Sequence, residues 1–392
     1  MNKMKVMLII SLMIFSSFSF GGQCLSARDP SGSTGMYPDQ QVVVYAADSL
    51  KEPMERFKVL FERWYGYGSD HVQMHYAGSN KLIQEITEDK TTPDIIFSAD
   101  YKLIDDRLVG DDYTIGDDYT HYNIQFARNS VVIAYRRNSK NSSIINGDNW
   151  FNVLNQSDVR FGFGNPNQDP CGYRSVMVFA LANKFKDYAN PSIFDLISTN
   201  SNIYKQSNET DFDIYSPTTL TPTTNILIND HAADSLESLK HGSIDYAFVY
   251  RNQAEEAKSD DPNIDYVTLP NELSLNDAQY EEEYSHIRLT EFCDDPARNK
   301  TITLTPVVYG FTGLKVGKYP DAASEFLKEF VWVTSDEDLP SYHNDRILQY
   351  MDHIYPYIPS KRTTISDIPG YILDFGHIGG NQYRGLTQKG EI

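Results

Sequence analysis

The stretch VRFGFGNPNQDPCGYRSVMVFALANKF, residues 159–185, combines a strand pattern, a loop and a helix pattern. Two glycines and two prolines shape the loop: Gly164, Pro166, Pro170 and Gly172. The unpaired N–H groups at the start of a helix form a natural anion site. Yet Asp169 places a carboxylate in the middle of this loop. Either the site does not bind anions, or its ligand offers the carboxylate something other than negative charge.

The same alternation of strand and helix extends on both sides of this stretch. Residues 41–47 (QVVVYAA) predict a buried strand, and residues 49–64 predict a helix because their apolar side chains recur at helical spacing. Further strand signals occur in VQMHYAGS (72–79), TPDIIFSAD (92–100), FARNSVVIAYRR (126–137), SIDYAFVYR (243–251) and TLTPVVYGFTGL (303–314). Such repeats predict an α/β protein with parallel strands.

The length of 392 residues favours roughly two domains of about 150 residues each. The chain is expected to leave the first domain near Tyr122 and to return to it near Thr305. We therefore predict a first lobe of residues 41–121 and 306–375, a second lobe of residues 122–305, and a loose tail of residues 376–392.

The N-terminus predicts export. Residues 1–24 contain two lysines, an apolar stretch and then small residues, which is the order of a secretory signal; the apolar run is short for a membrane span of about 20 residues. Cys24 ends a loose version of a bacterial lipoprotein box, so lipidation of Cys24 and ordinary cleavage nearby both stay open. Residues 25–40 predict a flexible tether. Cys171 and Cys293 allow one disulfide without requiring it.

The charge balance narrows the ligand class. The chain has 34 basic and 54 acidic side chains and a net charge of -20, whereas a nucleic-acid phosphate backbone needs a basic surface. A nucleic-acid partner is therefore not expected. Small anions stay open, because a local cluster of donors can bind an anion against an unfavourable overall field.

Two serines occupy further strand-to-helix junctions. AADSL contains Ser49 and YAGSN contains Ser79, where a hydroxyl and unpaired backbone N–H groups point the same way. Serines at such places are usually helix caps, which is the alternative to a role in binding. Because ligands of open α/β sheets bind at the carboxyl ends of strands, the two serines and the Asp169 loop together predict one oxyanion pocket.

At these residues the sequence resembles the extracytoplasmic tungstate- and molybdate-binding proteins of ABC importers, of the type best known from archaea. The resemblance runs from about residue 42 to about residue 335. Its segments are AADSL, YAGSNKL, DIIFSADYKLID, FARNSVVIAY, VRFGFGNPNQDPCGYRS, GSIDYAFVYR and TPVVYGFTGL. It implies a type II periplasmic binding protein fold, in which two α/β lobes joined by a two-strand hinge close on the oxyanion.

The resemblance also implies a ligand set. The oxyanion would contact the hydroxyls of Ser49 and Ser79, the amide of Cys171 and Tyr250. In the archaeal branch the metal centre has six ligands, including carboxylate oxygens, which implies that Asp169 bonds the metal of the bound oxyanion. A carboxylate facing a tetrahedral oxyanion would instead be repelled by about 4 kcal/mol for unit charges about 4 Å apart at an effective dielectric of about 20. The alternative is that Asp169 only caps the following helix.

The sequence departs from this family pattern at one place. A second ligand carboxylate, a glutamate thirteen positions before the aspartate of the DY pair, would fall on Ala232. The amide of Ala232 is expected to donate a hydrogen bond instead. The coordination number is therefore left open between four and six.

These features predict a periplasmic or cell-surface solute-binding protein that delivers tungstate or molybdate to a membrane permease and its ATPase. It is expected to be monomeric, to have no cofactor and not to be an enzyme. Two alternatives remain: a receptor for another oxyanion such as sulfate or phosphate, and a secreted hydrolase that uses Asp169.

Overall fold

The computed structural model describes residues 36–110, 118–185, 192–207, 211–334 and 347–373. The predicted signal (1–24), most of the predicted tether and the predicted tail (376–392) lie outside these ranges. All of the predicted site residues lie inside them. No helix among the described residues is both long and apolar enough to cross a membrane.

The first sheet is built mainly from the N-terminal repeats. Across it the strands lie in the order β15 (Asp352–Pro359), β4 (Ile124–Arg128), β14 (Val308–Gly313), β3 (Ile95–Ser98), β1 (Val42–Ala47) and β2 (Val72–Ala77). The strands β2, β1 and β3 are parallel, and β14, β4 and β15 pair antiparallel. The short apolar strand β3 is buried throughout, as expected for a strand covered on both faces.

The second sheet repeats this arrangement. Its order is β11 (Ile264–Thr268), β5 (Val131–Arg136), β10 (Tyr246–Tyr250), β6 (Phe161–Gly164) and β9 (Ile226–Asn229). The strands β9, β6 and β10 are parallel; β5 pairs antiparallel with β10, and β11 pairs antiparallel with β5. In both sheets the earliest strand of the parallel group therefore lies in the middle of that group.

A third, smaller sheet was not predicted from the sequence. Its order is β13 (Lys300–Thr303), β12 (Ile287–Glu291), β8 (Phe212–Tyr215) and β7 (Tyr204–Ser207). We call the first sheet and its helices the first lobe, and the second and third sheets with their helices the second lobe.

Helices cover the sheets. They are α1 (Lys51–Tyr65), α2 (Ser79–Thr87), α3 (Tyr101–Arg107), α4 (Trp150–Leu154), α5 (Pro170–Phe185), α6 (Asp195–Asn200), α7 (Ala232–Lys240), α8 (Arg251–Asp260), α9 (Asn271–Ser274), α10 (Glu281–Ser285), α11 (Pro320–Thr334) and α12 (Gly370–Leu373). Short 3-10 turns span Asp48–Leu50, Ala278–Tyr280 and Ile365–Asp367. The helix α5, which follows the loop of residues 164–169, is buried over most of its length.

Within the described residues the chain crosses between the lobes twice, and the two crossings lie side by side. It leaves the first lobe between Arg128 and Val131 and returns ahead of β14. The backbone N–H of Asn129 donates to the carbonyl of Val307 at 3.2 Å, which joins the two crossing segments. The strand β4 pairs within the first sheet, although it falls inside the range 122–305 that was predicted as the second lobe. The crossing therefore lies after this strand.

Candidate functional site

The predicted site residues all follow parallel strands. Ser49 lies in the turn after β1, Ser79 begins α2 after β2, and Asp169 and Cys171 lie at the start of α5 after β6. Ala232 begins α7 after β9, and Tyr250 ends β10. Carboxyl ends of parallel strands meet at one edge of a sheet, so each lobe presents one such edge.

The two edges are in contact. The N–H of Lys81 donates to the carbonyl of Gln168 at 3.3 Å, and the N–H of Gly78 donates to Nδ1 of His231 at 3.2 Å. A Cβ atom at Gly78 would lie 2.3 Å from the Gln168 carbonyl oxygen, so only glycine permits this approach. The structure is therefore a closed arrangement of the lobes.

Arg174 forms the central link between the lobes. Its side chain is completely buried; Nη1 donates to the hydroxyl of Tyr250 at 2.7 Å and to the carbonyl of Ala99 at 2.9 Å. Its Nη2 lies 3.1 Å from Oδ2 of Asp100. Because arginine is a donor only, the Tyr250 oxygen accepts and keeps its own proton to donate. Burial raises the pKa of Tyr250 well above its usual range, so that proton is retained.

Neither predicted serine caps a helix. The hydroxyl of Ser79 accepts a hydrogen bond from the N–H of Ala99 at 2.9 Å, and Gly78 occupies the cap position of α2. The hydroxyl of Ser49 lies 2.9 Å from the hydroxyl of Tyr309, and no side chain caps the turn that contains Ser49. Both serines are buried.

Tyr309 links Ser49 to Asn129, which lies in the first segment that crosses between the lobes. Asn129 donates to the Tyr309 hydroxyl at 3.2 Å and to Oδ1 of Asn252 at 2.7 Å. Asn252 in turn donates to the carbonyl of Ser49 at 2.6 Å. Sequence reasoning missed Tyr309 and both asparagines. The adjacent pair Asn129–Ser130, polar residues between two apolar strands, was the available signal for the crossing.

Asp169 is held by backbone donors. Its Oδ2 accepts from the N–H of Ala232 at 2.8 Å and its Oδ1 from the N–H of Cys171 at 3.1 Å. A Cβ atom on Gly164 would lie 2.1 Å from Oδ2, so glycine there makes room for the carboxylate. The bond to Cys171 is the capping geometry, while the bond to Ala232 is a long-range contact. Thus the two amides predicted to bind an oxyanion are occupied by Asp169 in this arrangement.

Burial raises the pKa of Asp169, and the nearby His231 and the backbone donors oppose that rise. Backbone amides of Ala232, Cys171 and Gly172 donate to this carboxylate, and a carboxylate has about four lone-pair positions, so one is left for a further partner. Such a carboxylate is able to bond a metal centre.

A second carboxylate lies beside this one. Oδ2 of Asp48 is 3.3 Å from Nδ1 of His231, the residue before Ala232. Burial raises the pKa of Asp48 to about 6; His231 opposes the rise and Asp169 adds to it. Sequence reasoning passed over Asp48 in favour of its neighbour Ser49.

The described part of the chain contains no candidate metal-binding cluster of its own side chains. No group of three or more His, Cys, Asp or Glu residues there is placed to hold a metal ion. Cys171 and Cys293 are free thiols, so the disulfide that the sequence allowed is not formed. A cavity of about 390 Å³ lies to one side, between α3, α10 and β13.

Comparison with known proteins agrees with this geometry. A family model described as bacterial extracellular solute-binding protein matches residues 42–331. The chain belongs to this family of solute-binding proteins. The sheets and helices of the structure confirm the α/β fold predicted from the sequence, and the family places the chain among solute-binding proteins.

Individual relatives carry more specific names. The molybdate/tungstate-binding protein WtpA of Thermococcus kodakarensis is 32% identical over 82% of this chain and 86% of its own length. The protein of the same name from Pyrococcus abyssi is 32% identical over 78% of this chain and 84% of its own length. The predicted resemblance is thereby confirmed. Among solved structures, the sulfate-binding protein SubI of Mycobacterium tuberculosis aligns with a TM-score of 0.49 at 13% identity, covering 86% of this chain and 90% of that one.

Proposed function

We propose that this solute-binding protein captures tungstate or molybdate between its two lobes and delivers it to an ABC importer. One observation carries the proposal: the carboxyl-end edges of the parallel strands in the two lobes, which hold the candidate hydroxyl, amide and carboxylate groups, are in contact. The names of the relatives in Thermococcus and Pyrococcus support the choice of oxyanion.

The candidate ligand groups are hydroxyl and amide donors on the one hand and the Asp169 carboxylate on the other. The hydroxyls of Ser49 and Ser79 come from the first lobe, and the Tyr250 hydroxyl comes from the second. The amides of Cys171 and Ala232 point at the Asp169 carboxylate. When the oxyanion binds, we expect hydroxyls and amides to donate to its oxygens while Asp169 bonds the metal.

The carboxylate accounts for selectivity. Sulfur and phosphorus in sulfate and phosphate do not take additional oxygen ligands, so these anions would meet Asp169 only as a repelling charge. A tungsten or molybdenum centre is hard and of high valence, and it accepts carboxylate oxygens. Asp169 would therefore favour the metal oxyanions and act against the abundant competitors.

Calorimetric titration of the parent protein with tungstate, molybdate, sulfate and phosphate tests the proposal. We expect the first two to bind more tightly than the last two. Equal or tighter binding of sulfate or phosphate would establish the alternative oxyanion receptor. Turnover of an ester or glycoside that disappears in Asp169→Asn would establish the hydrolase.

The remaining parts of the proposal concern delivery. We infer that the chain is exported, acts as a monomer and meets a membrane permease with its ATPase. The proposed lobes are residues 41–121 with 306–375 and residues 122–305, except that β4 belongs to the first lobe. If Cys24 carries a lipid anchor, Cys24→Ser should move the protein from the membrane fraction to the soluble fraction of the producing cells.

A further inference from the structure

The side chain of Asp48 lies at the contact between the lobes, opposite Asp169. Asp48 follows β1 in the first lobe, and Asp169 follows β6 in the second. The link between them is His231: its Nδ1 is 3.3 Å from Oδ2 of Asp48, and the next residue, Ala232, donates its N–H to Oδ2 of Asp169. Carboxylates from both lobes thus border one small region.

Oδ2 of Asp48 has no hydrogen-bond donor among the described residues, although the atom is buried. His231 does not supply one in this arrangement, because its Nδ1 accepts the N–H of Gly78 at 3.2 Å. A ring nitrogen that accepts a hydrogen bond carries no proton to donate. With Nδ1 as an acceptor, the 3.3 Å approach of His231 supplies no hydrogen-bond donor to the ionised Asp48 carboxylate.

A buried carboxylate oxygen without a donor is costly, and such a group in a native structure calls for a partner that is missing. A tetrahedral oxyanion does not satisfy it, since the oxyanion presents only acceptor oxygens and negative charge. A metal centre that takes carboxylate oxygens does satisfy it.

We propose that Asp48 is a specificity-determining residue that presents a second carboxylate oxygen to the metal centre of the bound oxyanion, from the lobe opposite Asp169. This inference rests on the proposed function and deepens it. It assigns one carboxylate to each lobe, so that closure brings both oxygens onto the same metal. Alanine at position 232 has no side-chain oxygen, so in this proposal Asp48, and not a residue of α7, supplies the second carboxylate.

The test is calorimetry with sodium tungstate and sodium sulfate on the parent, Asp48→Asn, Asp48→Ala and Asp234→Asn. Asp234 is an exposed aspartate of α7 near the same site, so its variant controls for the loss of one negative charge. We expect both Asp48 variants to lose about ten- to a hundredfold in tungstate affinity, the value of one interaction with a charged group. Their sulfate affinity should stay unchanged or rise. Asp234→Asn should shift the two anions in the same direction.

Tungsten-edge X-ray absorption of the complexes gives an independent reading, with one protein oxygen fewer around tungsten in Asp48→Ala than in the parent. Melting of the unliganded variants establishes that they are folded. A parent that binds no tungstate overturns the proposed function together with this inference. A parent that binds tungstate while the Asp48 variants bind it equally well, or lose tungstate and sulfate alike, overturns the inference about Asp48 alone.

Discussion

Ser79 has two tasks that a single substitution will disturb together. Its hydroxyl is proposed to contact the ligand, and in the closed arrangement it accepts the buried N–H of Ala99. Ser79→Ala should lower tungstate affinity by roughly ten- to a hundredfold and also destabilise the fold by about 1–3 kcal/mol, because the N–H loses its acceptor. Ser49→Ala should lose affinity similarly with a smaller stability cost, since Tyr309 keeps its donor from Asn129.

Calorimetry and urea denaturation measure the two effects separately. Ser324→Ala is the matched control, because this hydroxyl donates to the Pro320 carbonyl on the surface of α11, at 2.8 Å. Serine variants that bind tungstate like the parent would show that the pocket lies elsewhere.

Asp169→Asn separates a metal ligand from a helix cap. Asparagine caps a helix about as well as aspartate, so a capping role alone predicts unchanged or improved binding of every anion. A metal-ligand role predicts weaker binding of tungstate and molybdate together with weaker discrimination against sulfate. We also expect Asp169→Asn to lower the free energy of unfolding by about 1–3 kcal/mol, because the single acceptor oxygen of asparagine cannot serve both the Cys171 and Ala232 amides.

The measurements are anion titrations and urea denaturation of parent and variant. Asp277→Asn provides the control, since Asp277 caps the turn Ala278–Tyr280 by accepting from Gln279 at 2.9 Å, away from the site. If Asp169→Asn behaves like this control in every titration, Asp169 is a cap and not a ligand.

Local patterns pointed to Ser49, Ser79 and Asp169 because each lies at a strand-to-helix junction, which a sequence displays directly. Tyr309 and His231 were missed because what places them in the site is contact with distant parts of the chain. Ser49 meets Tyr309 across 260 positions, and the Tyr309 ring sits in a strand that reads as ordinary core. The spacing of residues within one helix or strand cannot predict a contact between residues so far apart in the sequence.

At the scale of elements, β12 fastens the third sheet to the first lobe. Glu291 at its end is completely buried; it accepts from Asn80 of α2 and pairs with Arg107 of α3 at 2.7 Å. Burial raises the pKa of Glu291 to about 7, with Arg107 opposing. The carboxyl therefore binds a proton more readily in the folded chain than in the unfolded one.

This raised pKa gives a signed prediction for stability. The contribution of Glu291 is present in full below its ordinary pKa of 4.5 and is lost as the pH rises through about 7. Glu291→Gln should thus flatten the fall in stability between these pH values, as followed by urea denaturation across that range. Glu282→Gln, at an exposed position of α10, is the control. A variant with the parental slope would show that Glu291 is not the titrating group.

The third sheet also shows where element prediction fails. Its strands are short, and β8 pairs in parallel with β12 across a long stretch of intervening chain. Acidic residues surround them, so the segment reads as irregular. The two larger sheets were predictable because their strands are apolar runs such as that of β10, buried at every position.

At the scale of the whole molecule, ligand groups from both lobes imply that binding stabilises the closed form. Saturating tungstate at about a hundred times its dissociation constant should add about 2.7 kcal/mol to the apparent stability and raise the melting temperature. Scattering should show a more compact particle with tungstate than without it. Neither change occurring at saturation would contradict the two-lobe binding site, and an equal rise with sulfate would contradict its selectivity.

Closure itself depends on the close approach at Gly78. A methyl group there would lie 2.3 Å from the carbonyl oxygen of Gln168 on the other lobe, so Gly78→Ala should hold the lobes apart while each lobe stays folded. Overpacking of this kind costs about 1–3 kcal/mol, which corresponds to roughly a ten- to hundredfold loss in tungstate affinity.

Gly68→Ala is the matched control, because nothing lies within 4 Å of the added carbon. Scattering with saturating tungstate should then show a less compact particle for Gly78→Ala than for the parent or Gly68→Ala. If Gly78→Ala closes and binds like the parent, the contact between Gly78 and Gln168 does not belong to the ligand-bound state, and the closed arrangement described here would not be the one that holds the oxyanion.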